Sequence, residues 1–147
     1  MIAIAFRVGG GVAMPRKYAS LEERIIANSV ASNDTFYEGT PCWIWLGATV
    51  TNRSGKKYGK IMLRWKAGKR KGQTRTAYAH RISLSVFRGR RLTARMVAKH
   101  LCNNTLCVNP MHLEGGSQLS NVRQCVVQGR HGNMYLAPVR ELEQLAA

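Results

Sequence analysis

The chain has no acidic side chain between Gly39 and Leu113. Only 7 of its 147 residues are Asp or Glu, against 23 Lys and Arg, and the formal net charge is +16. Catalytic sites that hold two metal ions need several carboxylates. The central segment supplies none, so it cannot form a two-metal site. Any chemistry in this segment must use few protein carboxylates or none.

The sequence also lacks a run of 18 apolar residues and a long amphipathic basic helix, so we expect no membrane partner. Residues 1–13 are mildly apolar, but they have no basic start and end in glycines, which is not typical of a signal peptide. We predict a flexible lead-in there. Four cysteines without an export signal favour metal binding in a reducing cytoplasm over a disulfide framework, and we expect a cytoplasmic protein.

Sixteen of the 23 cationic side chains lie in the segment without carboxylates. Such a charge favours a polyanionic partner through the release of condensed counterions, and double-stranded DNA is the expected one. The alternative is a solvated basic surface. The side chains predicted to contact DNA are Lys56, Lys57, Lys60, Arg64, Lys66, Lys69, Arg70, Lys71, Arg75 and Arg81.

Hydrophobic periodicity and turn residues predict an α+β fold with one domain over residues 20–133, between a lead-in over 1–19 and a tail over 134–147. A small twisted antiparallel sheet is expected at about 42–80 and a β-β-α unit at about 96–128. The predicted helices cover 21–31, after the capping-box residue Ser20, then 79–87, and 118–128, after the N-cap Ser117.

Cysteine and histidine are spaced as in a metal loop near the end of the domain. Cys102 and Cys107 are followed by His112, with four residues inside each interval, so one short loop can turn three ligands onto a zinc ion. Cys42 would complete a Cys3His site. The alternative for Cys42 is a small buried hydrophobic residue beside two tryptophans.

His100 and Asn121 flank this loop and have no place in the zinc tetrahedron. Hydrolysis of a phosphodiester needs a base to activate water and a cation to stabilise the developing charge. His100 suits the first role because the ordinary pKa of imidazole is close to neutral pH, and Asn121 can hold the cation. Asn109 is expected to organise the loop, since asparagine side chains commonly bind turn amides.

These residues together resemble the HNH, or ββα-metal, endonuclease superfamily. The segment matches its pattern with His100, the Cys102-x4-Cys107 pair, the run from Asn109 to Leu113, and Asn121. It is most similar to the His-Cys box homing endonucleases and the small phage HNH endonucleases. An upstream Cys-Trp-x-Trp beginning at Cys42 and the pair Tyr58-Gly59 are also similar to the phage group.

The resemblance implies a metal-dependent DNA endonuclease with a one-metal mechanism. His100 would be the general base and Asn121 the ligand of a catalytic divalent ion, expected to be Mg²⁺. The Cys42, Cys102, Cys107 and His112 side chains would hold a structural Zn²⁺. In the His-Cys box group an arginine assists at the scissile phosphate, and Arg75 is the candidate.

Lys99 departs from the family pattern, because many HNH enzymes have an aspartate there as a second metal ligand. Two other histidines stay unassigned. His80 is predicted to pack or cap a helix, with DNA contact as the alternative. His131 has two equal interpretations, phosphate contact and an idle loop.

Two other functions remain open from the sequence. The same loop could stabilise a DNA-binding module without catalysis, or the charge could serve an RNA-binding protein. A monomer and a homodimer both fit the sequence, as do a phage-encoded and a mobile-element origin.

Overall fold

A computed structural model of the chain describes residues 18–130. The part described confirms the α+β class, with three helices and small antiparallel sheets. The predicted tail and His131 lie outside the described residues, as does nearly all of the lead-in. The helices are α1 (Leu21–Ala27), α2 (Ala79–Arg88) and α3 (Gln118–Val127), and the strands are β1 (Ser29–Tyr37), β2 (Thr40–Trp45), β3 (Thr49–Thr51), β4 (Lys57–Arg64), β5 (Thr74–Tyr78), β6 (Val97–His100) and β7 (Leu113–Gly116).

The strands form three separate sheets within the described residues: β1-β2, β3-β4-β5 and β6-β7. The sequence predicted one sheet over about 42–80, and this is wrong for β2. Its Trp45 pairs with Ser29 of β1 and its Trp43 with Ala31. Pairing of β2 with an earlier strand places Cys42 outside the sheet β3-β4-β5, here called the basic sheet. Cys42 lies instead beside the metal loop, residues 102–112.

Helix α1 is shorter than the predicted 21–31. Ser20 caps its start by accepting a hydrogen bond from the Glu23 amide, as the capping box predicts. The helix ends at Ala27, and Ser29 Oγ donates to the Ile25 carbonyl one turn before it. Ser29, Val30 and Ala31 then pair with β2, and this long-range pairing overrides the local helical pattern.

The hydrophobic core joins the helices to two of the sheets. It consists of buried residues from α1, β2, β4, α2 and the metal loop, namely Ile25, Trp45, Ile61, Ala79 and Val108. Trp45 is its largest member, and its indole Nε1 donates to the Ala48 carbonyl at 3.0 Å. The core therefore fixes the relative positions of the basic sheet, α2 and the loop.

The β-β-α unit occurs where the sequence predicts it. Strands β6 and β7 are antiparallel, with Val97 opposite Gly116 and His100 opposite Leu113. Ser117 caps α3 by accepting from the Ser120 amide at 3.1 Å. Each strand has only four residues, so the unit depends on what is packed against it. No helix of the described part is both long and apolar enough to cross a membrane.

Gly59 of β4 is expected to tolerate no side chain. A Cβ there would lie 2.6 Å from Trp45 Cδ1 and 2.8 Å from Cγ, inside the contact distance that packed cores allow. Gly59→Ala should lower the free energy of unfolding by about 1–3 kcal/mol, measured by urea denaturation. Gly55→Asn, in a turn with open space and a positive φ, is the control. It meets no neighbouring atom and asparagine is among the residues that best tolerate a positive φ, so it should be destabilised less than Gly59→Ala.

Candidate functional site

Four predicted zinc ligands from two distant parts of the chain meet in one cluster. The ligand atoms of Cys42, Cys102, Cys107 and His112 all lie within 4.8 Å of one another. His112 Nδ1 is 3.4 Å from Cys42 Sγ and 3.5 Å from Cys107 Sγ. Ligands of a tetrahedral zinc ion are about 3.3–3.8 Å apart. The two His112 distances are in this range, and atoms as far apart as 4.8 Å would have to approach by about 1 Å to bind one zinc ion.

Strand β2 carries Cys42 to the cluster because it is hydrogen-bonded to the metal loop. The Val108 amide donates to the Trp43 carbonyl at 2.8 Å, and the Trp45 amide donates to the Leu106 carbonyl at 2.9 Å. These bonds lie on either side of the bridge between Ile44 and Cys107. Backbone pairing, rather than a flexible tether, therefore fixes the distance between Cys42 and Cys107.

The tautomer of His112 also suits a metal ligand. Its Nε2 lies 2.7 Å from Thr40 Oγ1, and this hydroxyl already donates to the Tyr37 carbonyl at 2.9 Å. The hydroxyl must then accept from His112 Nε2–H, which leaves a lone pair on the Nδ1 that faces the thiols. An imidazole fixed through its other nitrogen is typical of zinc sites.

The thiols are electrostatically coupled. Hydrogen bonding from the Cys107 thiol lowers the pKa of Cys102 to about 5, and the same interaction with Cys102 raises the pKa of Cys107. Burial raises the pKa of Cys42. One thiolate stabilised by neighbouring thiols is a state from which a divalent metal can displace the remaining protons.

Asn109 organises the loop around the cluster. Its Oδ1 accepts from the Met111 amide at 3.0 Å, and its Nδ2 donates to the Pro41 carbonyl at 2.8 Å. The first bond caps the 3-10 turn Pro110–His112. The second bond ties the turn to the residue that precedes Cys42. Asn109 is thus placed as the sequence predicts, with contacts to both halves of the metal site.

His100 lies at the end of β6, beside the cluster but outside it. Its Nε2 is 3.1 Å from the Cys107 carbonyl, and a carbonyl can only accept, so Nε2 carries the proton. In the neutral ring Nδ1 therefore has a free lone pair. Within the described residues no hydrogen bond to this Nδ1 is recorded, so it is available as a proton acceptor.

A cleft of about 460 Å³ brings His100 together with Asn121. Asn121 is in the first turn of α3, where its amide donates to the Ser117 carbonyl. The predicted base and the predicted cation ligand thus line one cavity. Other side chains in its lining include Lys56, Tyr58, Tyr78, His80, Arg81, Lys99, Cys125 and Arg130.

The rings of His80 and His100 are in contact in this cleft, with centroids 4.6 Å apart and planes tilted by 49°. Burial lowers the pKa of His100 to about 4. Burial, reinforced by the charges of His100 and Arg81, lowers the pKa of His80 well below its ordinary range. Both rings are neutral at neutral pH, as a general base or a metal ligand has to be.

Lys99 does not act as a free cation beside His100. Its Nζ lies 2.8 Å from Glu114 Oε2, and only 8% of the side chain is exposed. Lys99 and Glu114 are opposite each other in the β6-β7 pair. The charge of Lys99 is thus neutralised across the β6-β7 pair.

Arg75 is not brought to the His100 cleft. Its guanidinium lies over the Trp65 ring, 4.9 Å from the centroid, and it lines a separate cleft of about 1250 Å³. Arg81 is nearer the candidate active site and lines the His100 cleft. Its guanidinium also donates to the carbonyls of Met96 and Thr93, which fixes the connection before β6.

The basic side chains predicted to contact DNA are divided between the two clefts and the loops. The larger cleft has Lys60, Arg64, Lys66, Lys71 and Arg75 in its lining, and the His100 cleft has Lys56 and Arg81. The remaining three, Lys57, Lys69 and Arg70, are exposed. Among the described residues the carboxylate-free segment has one ion pair, Lys99 with Glu114, so most of this charge is not neutralised by the protein.

Two residues of the site were missed from the sequence. Thr40 orients His112, and the available signal was strand alternation, which places Thr40 on the same face as Cys42. His80 was predicted to pack or cap a helix. Its position at the junction of β5 and α2 gave no hint that packing would put its ring against His100.

Comparisons with known proteins find similarity to Protein 2.8 of Escherichia phage T7. The two sequences are 32% identical over 94 residues, which are 64% of this chain and 55% of Protein 2.8. The chain thus spans about half the length of the curated relative that it matches. No family model matches the chain, and no solved structure matches it significantly. The similarity fits a phage-encoded origin.

Cys42 is expected to be needed for zinc binding. Wild-type protein should contain one zinc ion per chain, and Cys42→Ser should lose it on dialysis against a weak chelator, because the ion would keep only three protein ligands. Metal analysis and thermal unfolding measure the effect, and Tm should fall with zinc content. Cys125→Ser, outside the cluster, is the matched control. Equal zinc retention in both variants would contradict a Cys3His site.

Proposed function

We propose that the protein is a divalent-cation-dependent DNA endonuclease of the HNH type. The observation that carries the proposal is the hydrogen bond from His100 Nε2–H to the Cys107 carbonyl. This bond leaves the Nδ1 lone pair available in a cleft that Asn121 also lines. A structural zinc module alone has no use for an oriented, neutral histidine in a cationic cavity that an asparagine also lines.

In this proposal His100 Nδ1 accepts a proton from the attacking water. The Cys107 carbonyl keeps the ring in the correct tautomer and orientation, as a carboxylate does for the base of other hydrolases. Burial keeps the ring unprotonated at neutral pH. The ring is therefore free to accept a proton at neutral pH, and the same lowered pKa makes it a weaker base than an exposed histidine.

Asn121 is proposed to hold the catalytic cation through its amide oxygen. The donor set of the cleft fits a cation that also takes phosphate oxygens, because the described lining has no carboxylate to complete a site without substrate. When bound, the cation would stabilise negative charge on the phosphate and the leaving oxygen. Mg²⁺ is the ion that the family resemblance implies.

Double-stranded DNA is the proposed substrate because unneutralised cations line both clefts. Strand β4 runs from Tyr58, in the His100 cleft, to Arg64, in the larger cleft. A duplex that contacts this sheet could reach both clefts, and lysine and arginine on a sheet surface can contact phosphates or base edges in the major groove.

A second candidate function is a zinc-stabilised DNA-binding module without catalysis. The Cys3His cluster favours it, because such clusters stabilise small binding domains as well as enzymes. The two functions differ in their need for His100, which is not a zinc ligand.

His100→Ala tests the endonuclease directly. Wild-type protein with Mg²⁺ or Mn²⁺ should nick or cut plasmid DNA, and the variant should be slower by roughly 10²–10⁴-fold, the usual contribution of a general base. Agarose gels of supercoiled, nicked and linear plasmid give the rates. Zinc content and duplex affinity should not change. If wild type shows no cation-dependent cleavage, or His100→Ala cuts at the wild-type rate, the binding-module function is favoured.

Lys60 and Lys66 test the proposed DNA surface. Replacing both with alanine should weaken duplex binding and reduce the slope of log K against log salt by about 2, because two phosphate contacts are lost. Fluorescence anisotropy over a range of salt concentrations measures both effects. The matched control replaces Arg91 and Arg95, which are exposed but lie in the connection before β6. An equal effect in the two variants would show that net charge, rather than this surface, binds DNA.

A further inference from the structure

His80 is a buried polar side chain for which no hydrogen bond is recorded among the described residues. Only 6% of the residue is exposed, and its Nδ1 is fully buried without a partner. A buried nitrogen without a partner costs about 1–3 kcal/mol relative to a satisfied one. Native proteins rarely keep such a group unless a water, an ion or a substrate completes it.

The ring of His80 is held in place by its neighbours. It contacts Tyr78, with centroids 5.6 Å apart, and Tyr58, with centroids 5.8 Å apart. Helix α2 is itself anchored next to the metal loop, where Ser83 Oγ donates to the Val108 carbonyl. A neutral imidazole with an unused nitrogen can take a ligand, and because this nitrogen is fully buried, a small shift of the ring or its neighbours would admit one.

His80 also lines the same cleft as His100 and Asn121. A metal ion lies about 3.2 Å from the centroid of an imidazole that binds it, since the metal–nitrogen bond is about 2.1 Å. The two histidine rings are 4.6 Å apart between centroids. An ion on His80 would therefore be close to the water that His100 is proposed to activate.

We propose that His80 is a second protein ligand of the catalytic cation, beside Asn121, and that it makes the site prefer Mn²⁺, Co²⁺ or Ni²⁺ to Mg²⁺. This inference rests on the proposed function. Imidazole nitrogen favours these borderline ions, whereas Mg²⁺ favours oxygen ligands. No carboxylate is among the described side chains that line the cleft, and Lys99 replaces the usual aspartate and is paired with Glu114.

The first test needs no cleavage. Zinc-loaded protein, labelled with ¹⁵N, is mixed with a short cleavage-resistant phosphorothioate duplex, because the described lining of the cleft has no carboxylate to hold the ion without phosphate. The complex is titrated with substoichiometric Mn²⁺, and the histidine ring signals are followed by NMR. Paramagnetic broadening should affect the rings of His80 and His100 in wild type. In His80→Ala, roughly tenfold or more Mn²⁺ should be needed to broaden His100. Tyr78→Phe keeps the ring against His80 and removes no proposed ligand, so it should respond like wild type.

The second test compares cleavage rates in different ions. Wild type should cut plasmid at least tenfold faster in Mn²⁺ than in Mg²⁺ at equal concentration. His80→Asp should reverse or abolish this preference, because it replaces nitrogen with a carboxylate. Retained zinc and an unchanged Tm show that the variants are folded.

The outcomes separate this inference from the proposed function. If Mn²⁺ broadens the ring signals of His80 but the protein cleaves no DNA, the cation site is supported and the endonuclease proposal is overturned. A different result would overturn only the role of His80 as a second ligand. In that case cleavage depends on His100, while the folded His80 variants keep the Mn²⁺ binding and the ion preference of wild type, and the endonuclease proposal stands. Folded His80→Ala with wild-type broadening of His100 would show that His80 only packs.

Discussion

The Cys3His cluster is the constraint on which the rest of this structure depends. It joins Cys42, near the start of the domain, to a loop that begins 60 positions later at Cys102. The core contains few large side chains, and the β-β-α unit adds two strands of four residues. Such small elements do not bury enough apolar surface to be stable alone. A metal ion bound to the folded state but not to the unfolded chain would contribute its binding free energy to folding.

Cys107 connects this structural role to the candidate chemistry. Its side chain belongs to the metal cluster, while its carbonyl accepts the hydrogen bond from His100. Backbone pairing with Ile44 of β2 also holds Cys107, but loss of the cluster would remove the side-chain restraint on the residue whose carbonyl fixes the His100 tautomer. The orientation of the proposed base therefore depends on the stability of the loop. A variant in the cluster can lose activity although His100 itself is unchanged.

Features encoded by neighbouring residues could be predicted from the sequence. The spacing of Cys102, Cys107 and His112 predicted a shared ligand loop, and Ser117 predicted the start of α3. Both features depend only on residues that are close to one another in the sequence. The end of α1 and the partner of β2 could not be predicted in this way. Both are decided by pairing between β1 and β2, which replaces local helical preference with long-range hydrogen bonds. The contact between His80 and His100 was missed for the same reason, since it arises only when α2 packs beside β6.

The lack of carboxylates has a different meaning in the folded chain than in the sequence. It excluded a two-metal site when only composition was known. In the structure it also leaves the His100 cleft with neutral ligands and several cations, including Arg81 and Arg130. A divalent ion is repelled from such a cavity until a polyanion enters it. On the proposed mechanism, the phosphate would therefore supply much of the negative charge that holds the ion, and cation and DNA would bind cooperatively. Coupling of this kind suits a nuclease with few acidic ligands, because the metal site is completed only where there is a phosphodiester to hydrolyse.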